Sequence, residues 1–531
     1  MNIFLSGLHR PGKSPALLVF VCFLLACVSL SAQEEPVSSV GAEEAAASTM
    51  HDSPPVSSAG TEGRGSPHET AVSDSKYNPR ERKIFIDIPL TIAEIMTVNL
   101  LGNFYWRLWG PDSEVAYFTI ESIKSNLKPN IWTYEEGQGG DTFLTNNFIH
   151  PYAGGIYFAS ARSNNFSFYE SILFSFFGST SWEILGETLS PSFTDMINSS
   201  FCGIALGEVM HRLFRELDKK GTAGRIGATI VSPTDRITAA VRGYGPDESP
   251  SRIHSATAAY GLSWLNSRFF ENNDVVTSWN VPTAFIDFDL VYEDPYTAQS
   301  MIPFEQFDLF MSLAVSVPLI YNFNVIASGY LASWCLADNY KNQISNGLTL
   351  HWDGYFTDKG SLLALNSGRE NLNFNPSSLD YTLQWRRIFN KSEFSLKTHL
   401  GFTPWAMANY NGGANRDDLN LYLMGGNFKL FMELQQMKDD GDGGKKNGQA
   451  LALNLCFFDT WRLHDSPHYD NNTLFLFSKI TYSFPLTDRH SIYAANSFQL
   501  LYTRLLHDEG FEYPNIMRWH NNTQFGIKIT L

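Results

Sequence analysis

The side chains best equipped for chemistry crowd into one stretch of the chain. His150, Arg162, Glu170, Glu183, Glu187, Asp195 and Glu208 follow one another there, with His211 one helical step beyond Glu208. A histidine near a serine and a carboxylate is the raw material of a hydrolase, because imidazole can take the serine proton and the carboxylate can hold the imidazolium. His150 is the candidate base, and a serine from the row Ser167, Ser171, Ser175, Ser179 the candidate nucleophile. No Gly-x-Ser-x-Gly elbow accompanies them. Glu208-x-x-His211 has the spacing of a carboxylate-bridged di-metal site, but such a site needs a second pair on another helix, and none follows. No catalytic residue, metal or cofactor is therefore assigned. Buried charge is tolerated when paired, so ion pairs and hydrogen bonds among Arg162, Glu170, Glu183 and Glu208 account best for the cluster.

Helices must position these residues. Residues 84–245 carry apolar side chains at helical spacing. Pro89 is expected to open a helix to about Trp109, and Asp112 or Ser113 to cap another ending near Leu127. A polar loop spans 132–145. Pro151 suits the first turn of a helix ending near Ser163. The next, about 166–187, has the serine row on one slowly winding face. Residues four apart stack along a helix, and small ones let a second helix approach closely, so the row reads as a packing groove. Ser192 and Asp195 form a capping box for a helix carrying Gly203-x-x-x-Gly207 and stopping near Lys219-Lys220-Gly221.

Several linked motifs here resemble the bacterial domain-of-unknown-function family 3943. They are His150-Pro151-Tyr152, Ala161-Arg162-Ser163-Asn164, Glu170-Ser171, Gly178-Ser179, Trp182-Glu183, Gly186-Glu187, Pro191-Ser192, Asp195 and Gly207-Glu208. The resemblance covers about 130–245. Ala153 and His211 depart from it, standing where a polar and an aromatic residue are expected. The resemblance implies export and an envelope location, and supplies no activity.

The chain changes period after about residue 251. In 284–293, Ala284, Ile286, Phe288, Leu290 and Tyr292 oppose Asp287, Asp289 and Glu293. In 394–402, Phe394, Leu396, Leu400 and Phe402 oppose Ser395, Lys397 and His399. Successive side chains of a strand point to opposite faces, so each segment has one apolar and one polar side. About twelve such segments, several of membrane-crossing length, predict an antiparallel outer-membrane β-barrel over 251–531. Trp334, Trp352, Tyr355, Trp385, Trp405, Tyr482 and Trp519 lie near segment ends, where an aromatic girdle belongs. Phe525, Ile527, Ile529 and Leu531 share one face of a last strand, in the manner of the signal by which outer-membrane barrels are recognised for assembly. The fold class is thus β-rich α+β, a barrel preceded by a helical domain over 79–250.

Residues 1–32 read as a signal peptide: a basic start, an apolar run from Leu17 to Val28, then small residues. Leu24-Leu25-Ala26-Cys27 offers lipidation at Cys27 as an alternative. Residues 33–78, rich in Ser, Ala, Glu, Pro and Gly, read as a disordered linker. Cys202, Cys335 and Cys456 are too far apart for a disulfide framework or a metal motif. The net charge of −16 argues against nucleic acid. Aromatic residues at 14 % against 17 % charged suit broad apolar surface. The expected partners are outer-membrane lipid, the barrel-assembly machinery and a lipid or small apolar ligand. The helices would plug the lumen, seat at its periplasmic mouth or hold that ligand. An envelope hydrolase anchored by the barrel, and a soluble secreted binding protein, are the alternatives.

Overall fold

The computed structural model describes residues 83–109, 116–128, 132–133 and 148–531, apart from 297–298, 317–319, 340, 360–371, 390, 411–418, 440–444, 464–468 and 508–514. The expected signal peptide and linker, Cys27, the candidate caps Asp112 and Ser113, and most of the expected 132–145 loop fall outside the described residues.

Helix α1 runs Ile84–Trp109 and holds Pro89 within it, starting five residues before that proline. It is long and apolar enough to cross a membrane by length and composition. Helix α2, Ile120–Asn126, is capped by Thr119. It therefore starts later than the expected Asp112 or Ser113 cap, because Thr119 and Ser122 exchange both bonds of a capping box. Helix α3, His150–Ser163, carries its proline in the first turn as expected. Helix α4, Phe168–Leu185, is capped by Ser167 and Glu170. Short α5, Phe193–Ile197, is capped by Ser192. A π-helical step, Asn198–Cys202, leads into α6, Gly203–Asp218. Helices α7, Gly221–Val231, and α8, Pro233–Arg242, complete the group.

Twelve strands then close into an antiparallel barrel, each pairing with its sequence neighbours and β1 with β12. They are β1 Ile253–Glu271, β2 Asp274–Tyr292, β3 Phe307–Ser316, β4 Ile320–Asn339, β5 Asn342–Lys359, β6 Leu372–Phe389, β7 Ser392–Tyr410, β8 Leu419–Asp439, β9 Lys445–Arg462, β10 Tyr469–Pro485, β11 His490–His507 and β12 Ile516–Thr530. Closure leaves no unpaired edge, since β12 bonds along its length to both β1 and β11.

Contacts between strands that are not neighbours identify the inner face. Lys479 on β10 reaches Asp287 on β2 at 2.7 Å, and Tyr493 on β11 reaches the same carboxylate at 2.8 Å. Gln499 on β11 donates to Asn324 on β4 at 2.6 Å. Tyr355 on β5 packs on Phe475 and Phe477 of β10, with ring centroids 4.5 and 5.2 Å apart. Side chains thus meet across the lumen, polar at one level and aromatic at another. Tyr355 is a correction to the expected girdle. It shares the odd-numbered face of β5 with His351 and Asp353, and that face points inward.

The opposite face divides into two regions. In one, Leu262, Leu379, Leu400, Phe402, Leu451, Ile480, Tyr482 and Phe525 are exposed. In the other, outward side chains of β2 to β8 are buried in one apolar cluster with Ile156, Phe158, Phe168, Ile204, Met210 and Leu213 of the helices. Phe148 meets Phe323 edge-on at 6.1 Å, Phe168 stacks on Phe304 at 5.6 Å, and Ser377 donates to Cys202 at 3.3 Å. The helices therefore lie against the outer wall of the barrel, not in its lumen. Trp352 and Trp405 are buried in this seam, a second correction to the girdle. The covered strip follows one line of paired residues, Leu290–Leu309–Ala327–Trp352–Ser377–Trp405, which crosses the strands at right angles.

Candidate functional site

Helix α3 is the centre of the helical domain. Gly154 and Gly155 face Gly203 and Gly207 of α6, and a Cβ on Gly154 would lie 1.8 Å from the Ser199 carbonyl oxygen. The glycine pair is thus what lets the two backbones touch, as small-residue spacing predicts. The serine row packs as expected. Ser175 donates to the Gly154 carbonyl at 3.0 Å, and Ser171 to the Ser167 carbonyl at 2.8 Å.

This packing sorts the sequence-derived residues into separate groups. Arg162 grips Glu208 with two nitrogens at 2.6 and 3.2 Å, and Arg212 reaches the same carboxylate at 2.8 Å. Arg212 also donates to the Pro303 carbonyl at 2.9 Å, tying the helices to the loop before β3. All three charged groups are buried. Burial pushes the Glu208 carboxyl up, and the Arg162 and Arg212 guanidiniums outweigh it, so the group falls from the usual 4.5 to about 2. A carboxyl lowered on folding stabilises the fold above its unfolded value and loses that contribution as pH falls. The thermal midpoint of the helical domain is expected to drop between about pH 4.5 and pH 2. Glu208→Gln, followed by circular dichroism, should remove that part of the pH dependence.

Around His150 a different group assembles. His150 Nδ1 lies 3.0 Å from Ser199 Oγ, and its Nε2 lies 4.0 Å from Asp195 Oδ1. Glu183 accepts a hydrogen bond from the Ser192 amide at 2.9 Å, and Ser192 in turn caps the Asp195 amide at 3.1 Å. Glu183 therefore fixes the turn that carries Asp195. Ser199 was not one of the expected nucleophiles. The π-helical step adds a residue to its turn and moves it out of the periodicity by which sequence would find it.

The remaining residues have local roles. Glu170 closes the capping box of α4 by accepting from the Ser167 amide at 2.8 Å. Glu187 is half-buried after α4, and its carbonyl accepts from Asn126 at 3.3 Å. His211 pairs with Asp235 at 2.7 Å. The Cys202 thiol, driven up to about 12 by burial, is no nucleophile at neutral pH.

The outer helices are inverted in polarity. The buried face of α1 is Asp87, Thr91, Glu94, Ile95, Asn99 and Asn103, while Phe85 at 95 % and Leu100 at 63 % are exposed. Glu94 accepts from Asn164 at 2.8 Å and Thr238 at 2.7 Å, and Asn99 donates to the Gly178 carbonyl at 3.1 Å. Helix α4 buries Ser171, Ser175, Ser179 and Glu183 and exposes Tyr169, Phe177 and, at 69 %, Leu173.

Fold and site together define a closed antiparallel barrel with a helical domain bound to its outer wall. Residues 138–234 match the family described as Domain of unknown function (DUF3943), which bears out the resemblance read from the motifs. No curated protein matches the chain in sequence. Among solved structures, the toluene transporter TodX of Pseudomonas putida is 9 % identical, with a TM-score of 0.22, over 55 % of this chain and 91 % of that one. A Pseudomonas aeruginosa FadL homologue is 8 % identical at 0.22, over 52 % and 90 %. The outer membrane protease OmpT of Escherichia coli is 10 % identical at 0.19, over 54 % and 99 %. Overlap this low carries no argument about function. The fold class rests on the strand pairing above.

Proposed function

We propose that this chain is an outer-membrane barrel whose helical domain sits on the lipid-facing wall and binds lipid acyl chains, or another apolar ligand, along its outer face. One observation carries the reading: the outer helices α1 and α4 turn mostly polar side chains inward and apolar ones outward, beside a barrel flank that is itself apolar. In water such a surface would be costly. In hydrocarbon it is the expected arrangement, because polar groups must then find partners within the protein. Lipid and the assembly machinery are the partners this reading requires, and the chain's acidity gives no surface for nucleic acid.

Leu173→Lys tests it. At a water-exposed position the change falls within about ±0.5 kcal/mol. On a lipid-facing surface at depth it costs about 2–4 kcal/mol. We expect the larger loss in urea unfolding from lipid vesicles, together with heat-modifiable migration on gels and recovery in the membrane fraction. A fully soluble product, or a neutral Leu173→Lys, would overturn the proposal.

The Ser199–His150–Asp195 grouping favours a second reading, an acyl hydrolase acting on envelope lipid. His150 would take the Ser199 proton, and Asp195 would stabilise the imidazolium after closing the 4.0 Å gap. Ester cleavage by the purified protein should then fall by orders of magnitude in Ser199→Ala and His150→Ala. Folded variants that retain full cleavage would end this reading.

A further inference from the structure

The lumen contains a cluster that neither reading uses. His351 on β5, Asp380 on β6 and His399 on β7 each place one ligand-type atom within 4.8 Å of the other two. Register explains the convergence. Thr349 pairs with Asp380, Asp380 with Gly401, and Thr382 with His399, so the three side chains share one inward patch on adjacent strands. All three are buried.

The cluster is incompletely satisfied. His351 Nε2 lies 3.3 Å from Asp380 Oδ2, and the two imidazole rings meet edge to face with centroids 4.6 Å apart. His351 Nδ1 has no hydrogen-bond partner among the described residues, and Asp380 Oδ2 accepts no hydrogen bond there. Lys429 sits 2.6 Å from Asp353 and 3.6 Å from Asp380. Two carboxylates therefore face one ammonium.

Two imidazoles and a carboxylate are a donor set for a zinc-type divalent ion, usually completed by water in the fourth position. The outer hydrogen bonds such ligands need are present. Thr382 Oγ1 lies 2.7 Å from His399 Nδ1, and Thr349 Oγ1 lies 3.0 Å from His351 Nε2. We propose that His351, Asp380 and His399 bind one zinc-class divalent ion in the barrel lumen. The ion joins β5, β6 and β7 at one level. This site is independent of the helical domain, so its failure leaves the lipid proposal standing.

The test uses the full-length protein in detergent, stripped with a chelator and titrated with zinc chloride. We expect one zinc per chain, a higher unfolding temperature with zinc, and at least tenfold weaker binding in His351→Gln and His399→Gln. His520→Gln, which changes another buried inward histidine on β12, should leave binding unchanged. Absence of stoichiometric zinc, or equal affinity in all variants, would overturn the proposal. If the two ligand variants fail to form a heat-resistant barrel, the visible spectrum of cobalt added to the stripped wild type decides. Intense tetrahedral bands support the site, and a weak octahedral spectrum refutes it.

Discussion

Glu208→Ala is expected to cost about 3–5 kcal/mol, the usual penalty for removing one member of a buried ionic group. The loss comes less from the missing attraction than from what is left behind. Arg162 and Arg212 would remain buried with no anion between them, because both direct their guanidiniums at the Glu208 carboxylate. Arg212 also holds the Pro303 carbonyl, so the effect should extend to the seam between helices and barrel. Chemical unfolding in detergent should show the helical signal melting earlier while heat-modifiable barrel migration persists. A joint, unaltered transition would mean that the triad contributes little. A triple change of Arg162, Glu208 and Arg212 to apolar residues of similar volume should recover much of the loss, since no charge is then stranded.

The second large effect is expected from Gly154→Val. The first added carbon would already lie 1.8 Å from the Ser199 carbonyl oxygen, and the obstacle is backbone rather than a side chain that can swing away. Overpacking usually costs about 1–3 kcal/mol, and a collision with backbone belongs at or above the top of that range. The variant should force α3 and α6 apart and displace His150 from Ser199. Gly245→Val is the control, because a Cβ there meets nothing within 4 Å. Proteolysis of the helical domain, timed in both variants, should be faster only in Gly154→Val.

The barrel was legible because alternation along a strand needs no knowledge of partners. Phe288 against Asp287, or Leu400 against His399, already separates an outer from an inner face. What covers the outer face was not legible. Trp352 and Trp405 read as membrane aromatics because an apolar side chain has the same pattern under lipid as under a helix. Tyr355 could have been placed correctly, since it shares parity with His351 and Asp353 and not with Trp352. The lumenal His–Asp–His group needed strand register, which composition does not reveal. A partial signal existed in the two-residue spacing between Phe389 and Ser392, whose pairing sets Thr382 opposite His399.

In the helical domain, Pro151 and Ser192 told where α3 and α5 begin and the glycine spacing where α3 and α6 cross, whereas Pro89 and the Asp112 or Ser113 cap misplaced the starts of α1 and α2. The pairing of Arg162 with Glu208 followed from the cost of burying charge. Ser199 was hidden by the π-helical step. The inverted polarity of α1 was hidden by its composition, because a run such as Ile84–Trp109 looks simply apolar until its few polar residues are seen to share a face.

The strip on the barrel wall has a consequence for the order of assembly. Leu290, Leu309, Ala327, Trp352, Ser377 and Trp405 lie on successive strands from β2 to β7, so the seat for the helices does not exist until those strands have paired. The helices precede the barrel in the chain, yet their berth is completed late. A slip of one residue in any of these pairings would rotate its side chains to the opposite face. The strip would then be interrupted and the helices could not dock along it. The helical domain is therefore expected to dock only where strands β2 to β7 are correctly threaded.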